Sequence, residues 1–193
     1  MGTGLERLSD SELASLAKKG DAAAFEEIYD RHAPGVARSL ASFAGPDRDL
    51  LDDLTQDVFL RVIEGLPSYA PSHPFSHWLY TIALNVGRNH ARRPLRVVPA
   101  DPADLENAAP LAPPQTADWS DEMLARNLMR LVNRLPVQMQ EVLSLRIGSG
   151  MPYGEIAEVL GIPEGTARSR MSNAIAILKK RMTTMDSKRS SET

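Results

Sequence analysis

Cysteine is absent from the 193 residues, which excludes disulfides and cysteine-ligated zinc or iron–sulfur sites and fits a reducing cytoplasm. Uninterrupted apolar runs are also missing. None approaches the roughly 18 residues that a membrane span needs, and the opening "MGTGLERLSDSELASLAKKG" is too broken by polar residues for a signal peptide, so neither membrane insertion nor export is expected. Aromatic residues make up only 5% of the chain. Charge is nearly balanced, with a formal net of -3 and a pI of about 5.8. A nucleic-acid partner would therefore require positive charge that is segregated along the chain rather than abundant in it. Alternation of apolar and polar residues, the mark of strands, is nearly absent as well.

What the sequence does have is apolar residues at helical spacing. Ser9 and Glu12 fit a capping box ahead of Leu13, Leu16 and Ala17. Asp21 can cap a longer helix carrying Ala24, Phe25, Ile28, Tyr29, Val36, Leu40 and Phe43, which ends toward Gly45 and Pro46. A third helix starts near Asp47 with Leu50, Leu51, Leu54, Val58, Val62 and Leu66 as its stripe and stops before Pro67. A fourth runs from about Phe75 to Arg93, where Pro94 ends it. Six of the fourteen prolines fall in residues 94–118, which contain few large apolar side chains and read as an extended linker. Beyond it the helical period returns in Met123, Leu124, Leu128, Leu131 and Leu135, and again in Met139, Val142, Leu143 and Ile147. The expectation is an all-α protein with two small helical domains joined by a proline-rich linker, followed by a disordered polar tail over 183–193.

The stretch "YGEIAEVLGIPEGTARSRM", Tyr153 to Met171, has the parts of a helix-turn-helix. Ile156, Ala157 and Leu160 face inward, Gly161 suits a left-handed helix end and Pro163 sets the start of the next helix. A stripe of Ala167, Met171, Ala174 and Leu178 turns Arg168, Ser169, Ser172 and Asn173 outward, with Thr166 and Arg170 at the flanks. These are hydrogen-bonding residues of groove-reading length. Five basic residues and one acid, Glu164, lie between Glu164 and Met182, so positive charge is local, as phosphate contact requires. A plain helical corner with a solvated polar face would show the same pattern.

Two features of the first half ask for an explanation. "DLLDDLTQDVFLRV", Asp49 to Val62, exposes Asp52, Asp53, Gln56 and Asp57, which a solvated acidic face would also do. "FSHWLYTIALNVGRNHARR", Phe75 to Arg93, is aromatic early, with Phe75, Trp78 and Tyr80, and basic late, with Arg88, Arg92 and Arg93 and no acid until Asp101. Aromatic faces for unpaired bases beside cations for phosphates suit capture of a single strand. A core position for Trp78 is the alternative.

The order of "GDAAAFEEIYDRHAP", "DLTQDVFLRV", "FSHWLYTIALN", "LPVQMQEVLSLR" and "YGEIAEVLGIPEGTARSRM" resembles that of bacterial RNA polymerase sigma factors of the sigma-70 family, extracytoplasmic function (ECF) group, from about Ser9 to Met182. The resemblance implies a detachable specificity subunit. Residues 9–93 would be region 2, 94–118 the linker and 119–182 region 4. It implies that the Asp49–Val62 helix docks on the clamp of the largest polymerase subunit through Asp53, Leu54, Gln56, Asp57 and Leu60. It implies that Tyr69, Ser72, His73 and Phe75 form the pocket for a flipped base of the single-stranded -10 element. Trp78 and Tyr80 would lie beside them, with Asn85, Arg88, Asn89, Arg92 and Arg93 on backbone and nearby duplex. Glu164, Thr166, Arg168, Ser169, Arg170, Ser172 and Asn173 would read the double-stranded -35 element, while region 4 docks on the flap of the second-largest subunit. An anti-sigma factor released by a stress signal would be the regulator, and no cofactor or metal is implied. The chain departs from the usual pattern at Thr81 or Leu84, where relatives carry a basic residue, and at Asn173 and Ile175, where they continue with arginine.

Other functions fit the residues less well. His73 and His77 are separated by "PFS", without the glutamate of a zincin, and no phosphate-cradling glycine loop accompanies Asp52, Asp53 and Asp57. A ligand-sensing or dimerising regulator accounts for residues 119–182 but leaves the Phe75–Arg93 helix without a purpose. A protein-only adaptor predicts no effect of neutralising Arg168 and Arg170.

Overall fold

The computed structural model describes residues 4–70, 74–92 and 121–190. Its elements, after a 3-10 turn at Leu5–Arg7, are α1 (Asp10–Ala17), α2 (Ala22–Ala44), α3 (Arg48–Gly65), a second 3-10 turn at Leu66–Ser68 and α4 (Phe75–Ala91). Then follow α5 (Asp121–Asn133), α6 (Val137–Leu143) running into a π-helical turn at Ser144–Gly148, α7 (Tyr153–Leu160) and α8 (Glu164–Ser190). Among the described residues there is no strand and no helix long and apolar enough to cross a membrane. The expected linker, residues 94–118, lies outside them.

Helix starts follow the sequence signals closely. Ser9 Oγ accepts from Glu12 N while Glu12 Oε2 accepts from Ser9 N at 2.8 Å, a reciprocal capping box. Asp21 caps α2 by accepting from Ala24 N, and Asp47 caps α3 by accepting from Leu50 N. Pro34 sits inside α2 on its exposed side, where water can satisfy the carbonyl that lacks a helical donor.

Leu13, Ile28, Val36, Leu40, Phe43, Val58, Val62, Phe75, Leu79 and Leu84 fill the core between the first four helices. Glycines set how closely those helices approach. A Cβ at Gly87 of α4 would lie 2.5 Å from the Phe43 ring of α2, one at Gly35 would strike the Tyr80 hydroxyl, and one at Gly65 would lie 2.9 Å from Trp78. Burial of Tyr80 against that wall pushes its phenol pKa up, an effect the charge of Arg38 opposes.

Arg31 ties the N-terminal turn to this bundle, donating to the carbonyls of Leu5, Glu6 and Leu8 and pairing with Asp10 and with Glu27 at 2.6 Å. His32 Nε2 meets Asp10 at 2.8 Å. That hydrogen bond, with the charges of His32 and Arg31, holds the Asp10 carboxyl below its ordinary pKa despite partial burial. The stabilisation is present above the unfolded value of about 3.9 and is lost as pH falls through the lower folded value. Urea midpoints from pH 5 to pH 2.5 should therefore fall more steeply for the wild type than for Asp10→Asn. Parallel profiles would refute this role.

Two expectations are corrected here. The disordered tail from 183 is replaced, as far as Ser190, by a continuation of α8. No glycine or proline follows Gly165 to stop that helix, and Thr183 Oγ1 bonds back to the Lys179 carbonyl. Ile147 and Leu124, placed in apolar stripes by spacing, are exposed. The wider π turn at Ser144–Gly148 shifts the helical phase and leaves Ile147 outside.

Candidate nucleic-acid and polymerase interfaces

The turn between α7 and α8 has the geometry a helix-turn-helix demands. Gly161 ends α7 at φ 64°, a left-handed conformation that costs other residues about 1–2 kcal/mol. The Pro163 carbonyl accepts from Thr166 N and Ala167 N to open α8. Ala167, Met171, Ala174 and Leu178 are buried and anchor α8, while Ile156 anchors α7. Glu164, Arg168, Ser169, Ser172 and Asn173 are exposed, with Thr166 and Arg170 half-buried at the margins.

Arg168 is the most organised member of this face. Its guanidinium donates to Glu164 one turn earlier and lies 4.8 Å from the Tyr153 ring centroid, with Arg146 at 5.2 Å from the same ring. Arg146 is itself fixed by a 2.9 Å bond to the Met151 carbonyl. The i,i+4 pairing of Glu164 with Arg168 was visible in the sequence. The support from Tyr153 and Arg146 was not, because both come from outside α8.

In the first half, the 3-10 turn and α4 bring Tyr69, Phe75 and Trp78 into one aromatic cluster, with centroid separations of 5.0–5.5 Å. Of the aromatic residues expected at the -10 element, Tyr69, Phe75 and Tyr80 are buried, at 8%, 2% and 5% exposure. Phe75 packs against His32, Tyr69 and Trp78, and the Tyr80 hydroxyl reaches Gly35 of α2. Trp78 is half-buried, so the stacking and core alternatives both describe part of its ring. Ser68, Tyr69, Ala70, His77, Trp78 and Thr81 line one side of a cavity of about 400 Å³. Ser72, His73 and Arg93 lie outside the described residues. Asn85, Arg88, Asn89 and Arg92 follow one another at helical spacing on α4, and Asn85, Asn89 and Arg92 are exposed. Of the two departures on this helix, Leu84 is buried, whereas Thr81 is exposed and donates to the His77 carbonyl.

On α3, Asp53, Gln56 and Leu60 are exposed and Asp57 is partly exposed, pairing with Arg61 at 2.9 Å. Leu54, expected among these contacts, is buried: it belongs to the stripe of Val58 and Val62 on the opposite side. Ile63 was not among the expected contacts, yet it is 49% exposed beside Leu60 at 60%, and Tyr29 extends the apolar patch by packing on Phe59. The missing signal was the i,i+3 spacing of two aliphatic residues on a helix face otherwise made of polar and charged residues.

The comparisons with known proteins match this arrangement. Residues 28–96 match the family model described as Sigma-70 region 2, and residues 125–178 match that of Sigma-70, region 4. The ECF RNA polymerase sigma-E factor of Escherichia coli (strain K12) is 31% identical over 178 residues, covering 88% of this chain and 92% of that protein. The chain belongs to the ECF group of sigma factors. As such it is a specificity subunit that binds core RNA polymerase and directs promoter-specific transcription initiation. The ECF sigma-E factor of Haemophilus influenzae is 28% identical over 187 residues, covering 92% of this chain and 97% of that one. Among solved structures, CnrH in complex with the cytosolic domain of CnrY superposes with a TM-score of 0.66 at 27% identity, over 91% of this chain and 97% of that one. The sigma factor RpoE of Bartonella quintana, in complex with the anti-sigma factor NepR, shares the fold with a TM-score of 0.60 at 20% identity, over 82% and 96% of the two chains.

Proposed function

We propose that this ECF sigma factor reads the -35 element with α8, engages the -10 element with α4 and the turn before it, and docks on the polymerase clamp with α3. The observation that carries the -35 assignment is the anchored stripe of Ala167, Met171, Ala174 and Leu178, which fixes Arg168, Ser169, Ser172 and Asn173 as one outward row. Glu164, Thr166 and Arg170 border that row. For -10, Tyr69 and Trp78 supply aromatic surface at the cavity, and Asn85, Arg88, Asn89 and Arg92 supply polar and cationic contacts. Ser72, His73 and Arg93 complete the assignment from sequence. On α3, Asp53, Gln56, Asp57 and Leu60 meet the clamp, and Ile63 joins them.

Region 2 would span 9–93 and region 4 119–182, with region 4 also meeting the flap of the second-largest subunit. The protein would act in the cytoplasm, carry no catalytic activity of its own and leave the chemistry to polymerase. An anti-sigma factor would restrain it, as NepR is found with the Bartonella quintana RpoE.

Run-off transcription with bacterial core RNA polymerase on a pool of double-stranded fragments tests the whole assignment. Starts that depend on this protein should share two spaced upstream elements. Arg168→Ala should weaken promoter binding by about 1–3 kcal/mol if the guanidinium reads a base, with relaxed preference at one -35 position. If it holds phosphate, the loss should be uniform across sequences and the slope of log affinity against log salt should shrink by about one. Unchanged affinity, salt slope and sequence preference would remove Arg168 from the interface.

A further inference from the structure

Each ring of the aromatic cluster rests on a group from another part of the chain. Lys18, just past α1, donates through Nζ to the Tyr69 carbonyl at 3.4 Å, and Gly65 at the end of α3 leaves room for the Trp78 ring. Behind Phe75 stands the imidazole of His32 on α2, with ring centroids 5.7 Å apart and planes tilted by 54°. Phe75 carries that contact forward. It meets Tyr69 edge to face at 87° and Trp78 at 51°, and Tyr69 and Trp78 line the cavity. His32 therefore lies one ring behind the cavity wall, with its side chain 14% exposed.

The His32 ring is not free to turn. A histidine ring torsion is broad when nothing holds it, but here Nε2 meets Asp10 Oδ2 at 2.8 Å. Asp10 is fixed in turn: its Oδ1 accepts from Arg31 at 3.3 Å, and it is the first residue of α1, whose start the Ser9–Glu12 capping box sets. Taking an imidazole and a carboxylate partly out of water costs free energy that an aliphatic side chain at the same place would not incur. An aliphatic side chain could fill that space. It could not hold the Phe75 ring at one angle, which is what a ring tethered by its nitrogen does, and a binding site is only as well defined as the groups that support it.

We propose that His32, oriented by Asp10, is a positioning residue for -10 engagement: it fixes Phe75 and, through Phe75, the angle at which Tyr69 and Trp78 receive an unpaired base. This rests on the reading of Tyr69 and Trp78 as -10 contacts. The effect belongs to promoter opening alone, because α3 and α8, which carry the polymerase and -35 assignments, do not depend on the tethered ring.

The probe is one promoter fragment recovered by the run-off assay, used intact and as a duplex carrying only its upstream element, with the full-length protein and core polymerase. His32→Ala and Asp10→Leu should each lower open-complex yield by about fivefold or more, the scale of one lost stacking contact, with core co-elution and upstream-element affinity within about twofold of wild type. Asp10→Asn keeps an oxygen for Nε2 and gives up the charge, so it should open the promoter as wild type does. The chain has two tryptophans, Trp78 and Trp119, so near-ultraviolet circular dichroism in a Trp119→Phe background isolates Trp78. That signal should change with His32→Ala and Asp10→Leu and be preserved in Asp10→Asn. Should His32→Ala not fold, the comparison of Asp10→Leu with Asp10→Asn decides by itself. Wild-type opening by Asp10→Leu, equal losses in Asp10→Leu and Asp10→Asn, or a loss of core co-elution in proportion to the loss of opening would overturn the positioning role. Tyr69→Ala and Trp78→Ala separate it from the reading beneath it. If both open the promoter as wild type does, the -10 reading of the cluster fails and the role of His32 fails with it; if both lose opening while His32→Ala does not, only the role of His32 falls.

Discussion

Leu60→Asp combined with Ile63→Asp should abolish co-elution with core RNA polymerase and leave the melting temperature within about a degree of wild type. Both side chains are largely exposed on α3, so neither change opens the core. Exposed aliphatic pairs on an otherwise polar and charged helix face lack an intramolecular reason to be there, and the proposed docking on the clamp would supply one. Hot-spot anchors near the centre of an interface cost about 2 kcal/mol or more each when truncated, and the prediction takes Leu60 and Ile63 to be such anchors. Introducing carboxylates adds a desolvation cost on the partner side, so the pair should weaken binding by more than about a hundredfold. Protein-dependent run-off transcripts should disappear in parallel. A double variant that still co-elutes and transcribes as wild type does would remove α3 from the polymerase contact. Asp52→Asn, on the same helix, tests whether the effect is confined to the apolar pair.

The second large effect lies in the core. Phe43 is completely buried and its ring fills the space that Gly87 leaves on α4. Phe43→Ala should destabilise by about 3–5 kcal/mol, a large part of the about 5–15 kcal/mol available to a typical domain. Gly87→Ala should also destabilise, by about 1–3 kcal/mol, although alanine is the better helix former, because the new methyl meets the ring at 2.5–2.8 Å. The sign of their coupling is the sharper prediction. With the ring gone, the methyl introduced by Gly87→Ala partly fills the cavity, so the double variant should be more stable than the sum of the two losses implies. Strict additivity in urea unfolding would show that the two residues do not share that space.

These two predictions draw on different levels of the sequence. Helix starts at Ser9, Asp21 and Asp47, the left-handed Gly161 and the buried stripe of α8 follow from local chemistry: a side-chain oxygen near free amides, a residue without Cβ, a 3.6-residue period. Such features depend on neighbours within about one helical turn, so the string of residues contains them. The outward row of Arg168, Ser169, Ser172 and Asn173 was legible for the same reason.

Periodicity alone cannot say which of two adjacent stripes on a helix meets the rest of the protein. It placed Leu54 in the buried stripe, where the structure has it, and it assigned Ile147 to a stripe that the π turn displaces; the contact roles of Leu54, Phe75 and Tyr80 came from resemblance, and all three side chains are buried. The Arg146 and Tyr153 support of Arg168 crosses between elements and had no local signal.

By itself, then, the sequence determined the all-helical architecture, the capped helix starts, the helix-turn-helix and the family, since each is written in spacings of a few residues or in motif order. Only the tertiary structure decided that Arg88 faces Glu141, that α7 stands over the Tyr69–Trp78 cavity and that Gly148 rests on Ser39. Arg88 and Glu141 are 53 positions apart. Pairing over that distance comes from the packing of whole helices, which no local pattern encodes.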